Sequence, residues 1–369
     1  MKTLDRYLVG SFLINYLLSL GVLISLYVVL DLFVNLDRFT EKGHEVTRVL
    51  ANMADYYFFN LPLYFSQLSG VISAFAACAT IARLQRQNEI TAILSSGTSL
   101  YRVATPVIAA ALMTNVLLVI NYETILPGIA PKLARTRNDV EGERVYSVWF
   151  VRDGESRLIS AEQFSPKLQA IRNFIVLELS TEPASHGQLE AVVRADRARW
   201  DPDIAQWRLI PHGVRIPAVS GQEGGLFGQD IMERERLEVY PSALTPEELR
   251  LRQNAQWLGF LSTRQLNLLA QRGDVSHDRI AQVKNARFTQ PIGNMILLVI
   301  GLSYFLQRYT DSVLTQGAKA LGACSITFMV TMAGQQMMGM LDVNPALPAW
   351  LPIFIFGPIA VLLMDWIET

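Results

Sequence analysis

The chain has 369 residues, of which 51% are hydrophobic and 18% are charged, and its formal net charge at pH 7 is −1. An average soluble domain is about 25% charged, so this composition favours a membrane protein. It argues against a nucleic-acid partner, because the basic footprint of a nucleic-acid-binding protein is missing. The two cysteines, Cys78 and Cys324, lie in apolar stretches and say nothing about the redox compartment.

Six stretches of 20 residues or more contain no Asp, Glu, Lys or Arg: Tyr7–Leu30, Tyr56–Ala82, Val103–Tyr122, Phe288–Gln307, Ala320–Leu341 and Val343–Met364. A helix of about 20 residues crosses the roughly 30 Å hydrocarbon core of a bilayer. Three stretches precede a polar interval of about 165 residues, and three follow it. This pattern predicts a polytopic α-helical membrane protein with six transmembrane helices, arranged 3+3 around one large insertion.

The first apolar stretch predicts a signal anchor that remains as the first span. Its apolar run is longer than the roughly 7–15 residues of a cleavable signal peptide. The positive-inside rule places the N-terminus inside, because the short segments on that side hold Lys2, Arg6, Arg83, Arg86, Arg102, Arg308 and Lys319. Basic residues that flank the insertion argue the other way, but long translocated domains obey the rule weakly.

The insertion has the pattern of an all-β domain with a helical end. Arg144–Val151 and Asn173–Leu179 are short, β-branched and aromatic, which is typical of strands. Trp200 and Trp207 flank a turn-like segment and predict two joined strands. These signals indicate a sandwich or jelly roll. Helices are predicted from Thr245, where Pro and two Glu residues begin a helix, and over Ser262–Arg272.

Catalytic motifs are missing from the sequence. It has no P-loop, no H-E-x-x-H, no Cys/His cluster with metal-ligand spacing and no G-x-S-x-G. The six stretches also lack the ionisable residues with which ion-coupled transporters carry protons or ions. We therefore expect a protein that is not an enzyme, holds no metal and binds no cofactor of its own, and a secondary transporter is disfavoured.

The segment 83–99, between the second and third stretches, predicts a short amphipathic helix. Its apolar face holds Ile90, Ile93 and Leu94, its polar face holds Arg83, Arg86 and Glu89, and Gly97 suits the C-terminal cap. Two interpretations fit this pattern. The helix either turns the chain at the membrane surface, or couples the spans to a cytoplasmic ATPase through a charged contact at Glu89. The pattern alone does not separate them.

Several segments resemble the LptF/LptG (YjgP/YjgQ) permease family. They are Leu4-Asp5-Arg6-Tyr7, the segment 83–99 with Asn88-Glu89-Ile90-Thr91 and Ser96-Gly97, the region of Pro127, and Asn344-Pro345 with Ala349-Trp350-Leu351-Pro352. The similarity covers essentially the whole chain. It implies the membrane subunit of an ABC-type exporter that extracts lipopolysaccharide from the bacterial inner membrane.

The resemblance also implies partners and an orientation. The expected partners are a sibling LptF/LptG-like permease, an LptB-like ATPase dimer that binds ATP and Mg²⁺, an LptC-like periplasmic protein, and lipopolysaccharide itself. Both termini would be cytoplasmic. The expected domains are transmembrane helices 1–3 over 1–122 with the coupling helix 83–99, a periplasmic β-jellyroll domain with its helical return over 123–283, and transmembrane helices 4–6 over 284–369.

The resemblance assigns expected roles to two groups of residues. Glu89 matches the acidic residue that meets the ATPase, and the coupling site also includes Arg86, Ile90, Leu94 and Gly97. Residues for lipid contact at a lateral gate between spans one and five are Asp31, Asp37, Arg38 and Arg287.

Family members of the LptG type carry basic residues near the outer end of the first span, and of the residues there Arg38 keeps that sign. Asp31 and Asp37 would repel lipid phosphates unless they bind a bridging divalent cation or pair with the sibling subunit. The alternative is that both are ordinary interfacial charges. This departure leaves open whether the chain is LptF-like or LptG-like.

A second function fits the same topology. The chain could be a membrane-anchored mechanotransmission or sensor protein, whose periplasmic domain relays ATPase motion without moving lipid. A lipid-sized apolar cavity between the spans would favour export over relay.

Overall fold

The computed structural model describes residues 3–40, 46–135, 144–182, 187–218, 234–306, 312–336, 344 and 346–365. The chain divides into two compact units. The helical unit comprises Met1–Asp37, Tyr57–Pro127 and Asp278–Thr369, and the β unit comprises Arg38–Tyr56 and Gly128–His277.

Six segments are helical, long and apolar enough to cross a membrane, as the charge-free stretches predict. They are α1 (Thr3–Thr40), α2 (Val46–Arg86), α4 (Leu100–Ile120) with its continuation, α8 (His277–Phe305), α9 (Val313–Gln336) and α10 (Leu347–Asp365). A π-helical turn, Asn121–Ile125, continues α4 into α5 (Leu126–Leu133), and the short helix α3 (Glu89–Ser95) joins α2 to α4.

The spans differ in how much of their surface the helical unit covers. About half of the apolar window is buried in α2, α4 and α8, whereas few residues are buried in the windows of α1, α9 and α10. The uncovered surfaces are apolar, with exposed side chains such as Phe33, Val34, Leu314 and Met329. Such surfaces fit lipid tails or another membrane subunit.

A chain of uncharged polar side chains, which we call the polar seam, connects α2, α4 and α8. The Asn294 amide donates to Ser69 Oγ and to Asn115 Oδ1, each at 3.0 Å. The Asn121 amide donates to Ser66 Oγ at 2.7 Å. All five residues are buried. Because water is scarce inside a bilayer, such groups bond to neighbouring helices and hold them together.

The β unit contains one antiparallel sheet whose six strands lie in chain order. They are β1 (Tyr146–Arg152), β2 (Arg157–Ser165), β3 (Ala170–Leu179), β4 (Leu189–Asp201), β5 (Gln206–Pro217) and β6 (Glu235–Tyr240). The predicted hairpin is confirmed, since Trp200 pairs with Trp207 across β4 and β5. Phe164, Phe174, Trp207 and Tyr240 fill one apolar core.

The prediction of a polytopic helical protein with an inserted β domain is confirmed. In detail, the described strands each pair with their chain neighbours, which makes a meander. The Greek-key connections that define a jelly roll do not occur between these six strands. The sequence also has a Gly-rich segment over 221–228, which interrupts the strand pattern and lies outside the described residues.

The predicted helical return consists of α6 (Pro246–Leu251), a 3₁₀ turn (Trp257–Phe260) and α7 (Thr263–Arg272). Thr245 caps α6 by accepting from the Glu248 amide. Ser262 and Gln265 form a reciprocal capping box at the start of α7. These caps satisfy backbone donors that a helix start leaves unbonded.

Two buried aspartates tie the sheet to this return. Asp274 forms an ion pair with Arg252 at 2.9 Å, with both side chains almost fully buried, and it accepts the Gly154 amide at 2.6 Å. Asp153 accepts the Ala243 amide at 3.0 Å. Burial raises the pKa of the Asp153 carboxyl, although bonds from Ser242 and Ala243 oppose this effect.

Candidate functional site

The connection between α2 and α4 is the first place where predicted site residues meet. The predicted continuous helix over 83–99 is wrong in its boundaries, because α2 runs to Arg86 and α3 begins at Glu89. Asn88 separates them with a left-handed backbone (φ +59°), a conformation that Asn adopts more readily than most residues. Arg86 is therefore exposed in the last turn of α2, where a basic side chain complements the helix dipole.

The apolar side of α3 packs inward. Ile90 is 8% exposed and belongs to the same core cluster as Leu84 of α2, Leu100 of α4 and Leu8 of α1. Leu94 packs against that cluster and is partly buried. Ile90 and Leu94 therefore anchor α3 to the spans, and their part in an ATPase-coupling site stays a prediction.

The outward side of α3 is small and polar. Thr91, Ala92, Ser95 and Ser96 are exposed. Gly97 is left-handed (φ +79°), and its amide donates to the Leu94 carbonyl at 2.9 Å. Since a side chain is strained at this φ, glycine is the residue that lets the chain leave α3 and enter α4 within a few residues. The expected helix end at Gly97 is confirmed.

Glu89 lies at the first turn of α3 and is half-buried. The Tyr7 hydroxyl donates to both of its carboxylate oxygens, at 2.8 and 3.1 Å. Two residues before Tyr7, Asp5 accepts bonds from the Arg102 guanidinium of α4 on both carboxylate oxygens, at 2.8 and 2.9 Å. Sequence reasoning missed these contacts because they join residues 82 and 97 positions apart.

The outer part of α1 holds the second predicted group. Asp31 accepts the Tyr57 hydroxyl at 2.9 Å and the Asn35 amide at 3.2 Å. Asp37 is exposed, and the side chain of Arg38 lies outside the described residues. Among the described residues no group of three or more His, Cys, Asp or Glu side chains could hold a metal ion.

Arg287 lies near the start of α8, and its guanidinium carbon is 5.1 Å from the centre of the Tyr122 ring. The Tyr122 hydroxyl donates to Gln290 Oε1 at 2.6 Å, and the Gln290 amide donates to the Ser66 carbonyl at 2.6 Å. The structure therefore places Arg287 beside the polar seam.

A cavity of about 60 Å³ lies between α2, α8, α9 and α10. Its polar lining consists of Gln67, Thr289, Gln290, Asn294, Thr327 and Thr331, with Pro348 and Pro352 on one side. Leu297, Phe328, Met332 and Ile353 add apolar surface, so the lining as a whole is mainly apolar. The recurrence of Asn, Gln and Thr within the charge-free stretches is the sequence signal for the polar part of this lining.

The chain matches one family model over residues 6–366, described as lipopolysaccharide export system permease LptF/LptG. No match was found among curated proteins. The match spans nearly the whole chain, as the sequence resemblance does, and it includes the six spans, α3 and the inserted sheet. The chain therefore belongs to the LptF/LptG family of lipopolysaccharide export permeases.

Proposed function

We propose that this chain is the permease subunit of an ABC-type exporter, in which a partner ATPase pushes on α3 and lipopolysaccharide leaves the membrane toward the β unit. The observation that carries this proposal is the placement of α3. It offers a polar outward face with Glu89 at its start, while Ile90 packs into a core shared with α1, α2 and α4.

This packing gives a route for mechanical coupling. Close-packed interiors have low compressibility and transmit displacement. A force on α3 therefore reaches α2 through Leu84, α4 through Leu100 and α1 through Leu8. The ATP and Mg²⁺ belong to the partner, because the chain itself has no P-loop. In this proposal α3 and both termini are cytoplasmic.

The apolar surfaces of α1 and α9 supply the lipid path. Both helices leave most of their apolar residues uncovered within the chain. In the exporter they would face a sibling permease across a cavity that accepts acyl chains. The lateral gate between span one and span five then consists of α1 and α9. Arg38 and Arg287 remain the proposed contacts for lipid phosphates.

The acidic residues of α1 receive different roles. Asp31 holds α1 to α2, because the Tyr57 hydroxyl bonds to it. Asp37, exposed near the end of α1, is the proposed residue for a bridging cation or for the sibling subunit.

The sheet supplies the exit. Within the described strands, β1 pairs only with β2 and β6 pairs only with β5. An edge strand can accept a strand from another domain by β-augmentation. A periplasmic LptC-like protein would extend the sheet in this way. The apolar interior of the extended sheet would receive the lipid tails.

The test is co-purification of the exporter from membranes. Glu89→Ala should lose most of the ATPase that co-purifies with the chain, whereas Glu247→Ala, at an exposed Glu of the β unit, should retain it. Retention of the ATPase together with normal export in Glu89→Ala would refute the coupling role.

One observation favours the relay function as the second candidate. The cavity between α2, α8, α9 and α10 is about 60 Å³ in volume, which is too small for a lipid tail. A relay would need no larger space, whereas export needs one formed with the sibling subunit. Lipopolysaccharide that co-purifies with the wild-type complex supports export, and an ATPase-containing complex without lipid supports the relay.

A further inference from the structure

The first two turns of α1 contact α3 and α4 through Tyr7 and Asp5, two residues that the proposed function does not use. Tyr7 donates its hydroxyl to the Glu89 carboxylate, and Asp5 accepts two bonds from the Arg102 guanidinium. Leu8, in the same part of α1, is fully buried in the cluster that contains Ile90. These contacts hold one end of α1 against both α3 and α4.

The Tyr7–Glu89 contact is a charge-assisted hydrogen bond at an accessible surface. Tyr7 is 44% exposed, so its hydroxyl lies where a docking protein can reach. A hydrogen bond to an ionised carboxylate is stronger than one between neutral groups. A carboxylate has about four lone-pair sites, so Glu89 can accept from Tyr7 and still bind a cationic side chain of a partner.

The Arg102–Asp5 pair explains why Tyr7 is held in place. Asp5 and Tyr7 are two residues apart, so the pair fixes the same helical turn that carries the tyrosine ring. The Asp5 side chain is 16% exposed and that of Arg102 is 39% exposed. The Tyr7 hydroxyl thus orients the Glu89 side chain, and the Asp5–Arg102 ion pair holds the backbone around Tyr7 against α4.

We propose that Tyr7 is a positioning residue for the ATPase contact: its hydroxyl orients the Glu89 carboxylate so that a cationic group of the ATPase meets it in one geometry. This inference rests on the proposed function. It assigns to α1 a direct part in the coupling site, in addition to its surface toward lipid.

The experiment measures the affinity of the purified partner ATPase, with Mg²⁺ and a non-hydrolysable ATP analogue, for the full chain in detergent. Tyr7→Phe removes only the hydroxyl and should weaken binding about threefold or more. Tyr101→Phe is the matched control. Its hydroxyl donates to the Met364 carbonyl at 2.6 Å in the same unit instead of to Glu89, and its loss should leave the affinity unchanged.

A double-mutant cycle separates positioning from a general structural role. The Glu89→Gln variant binds more weakly, so its affinity is measured at high ATPase concentration. In this background Tyr7→Phe should change the affinity by less than about 1.5-fold. An equal loss in both backgrounds, or no loss in the wild-type background, overturns the inference. If Glu89→Gln itself leaves the affinity unchanged, the proposed coupling site fails, and this inference fails with it. If Glu89→Gln weakens binding and Tyr7→Phe does not, only the inference fails.

Discussion

Gly70 of α2 is the position where one added methyl group should loosen the helical unit. A Cβ atom at Gly70 would lie 2.5 Å from Asn294 Oδ1 and 3.2 Å from Asn294 Cγ. Ordinary contacts of a Cβ begin near 3.4 Å, so the side chain of Asn294 must move by about 0.9 Å. Asn294 is buried and bonded to Ser69 and Asn115, so this movement strains or breaks the polar seam.

The expected cost of Gly70→Ala follows from opposing contributions. Overpacking in a well-packed interior costs about 1–3 kcal/mol. Each interhelical hydrogen bond lost in a membrane protein costs about 0.6 kcal/mol on average. Ala is favoured over Gly in a helix by roughly 0.5–1 kcal/mol, which offsets part of the loss. We expect a net decrease in the free energy of unfolding of about 1–2 kcal/mol.

The assay is equilibrium unfolding of the purified chain in detergent micelles. Gly322→Ala is the matched control, because a Cβ at Gly322 in α9 meets nothing within 4 Å, and it should be neutral or slightly stabilising. Asn294→Ala removes the clashing group, so Gly70→Ala should cost about 1 kcal/mol less in that background. Wild-type stability of Gly70→Ala, or full additivity with Asn294→Ala, would refute the reasoning.

Two further predictions concern the β unit, each read from the unfolding of that unit in the purified chain. Asp274→Ala leaves the buried Arg252 without its carboxylate and should lower the free energy of unfolding by about 3–5 kcal/mol. Arg272→Ala breaks an ion pair with Glu248 whose side chains are 46% and 27% exposed, and it should lower this free energy by about 1 kcal/mol or less. Similar losses in the two variants would contradict the burial argument. Burial raises the pKa of Asp153 above its ordinary 3.8, so the folded state holds this proton more tightly than the unfolded state, and the Asp153 contribution to stability should fall as the pH rises from about 4 through the raised pKa. Asp153→Asn should flatten this part of the pH profile, and an unchanged or steeper profile would contradict the assignment.

The spans and most strands could be predicted from the sequence because their signals are local. A charge-free run of 20 residues is sufficient evidence for a span, and the β-branched and aromatic content of β1 and β3 is visible without knowing the neighbours. Strand order could not be predicted in the same way, because pairing depends on residues that are distant in the chain.

The site shows where local patterns are insufficient. The periodicity over 83–99 merged the end of α2 with α3, since the left-handed backbone of Asn88 changes no hydrophobic pattern. Glu89 was found from a motif, but its donor, Tyr7, is 82 residues away in sequence. The polar seam was missed for a different reason: Asn294 and its partners are uncharged, so a search for ionisable residues passes over them.

ATP-dependent release of lipopolysaccharide from proteoliposomes tests the central claim most directly. The vesicles would contain this chain, its sibling permease, the ATPase and the periplasmic protein, with lipopolysaccharide in the bilayer and a soluble acceptor outside. The account predicts that lipopolysaccharide reaches the acceptor only when ATP is hydrolysed, and that Glu89→Ala abolishes this transfer while Glu247→Ala preserves it. ATP hydrolysis by the complete complex with no release of lipopolysaccharide would contradict export and favour the relay.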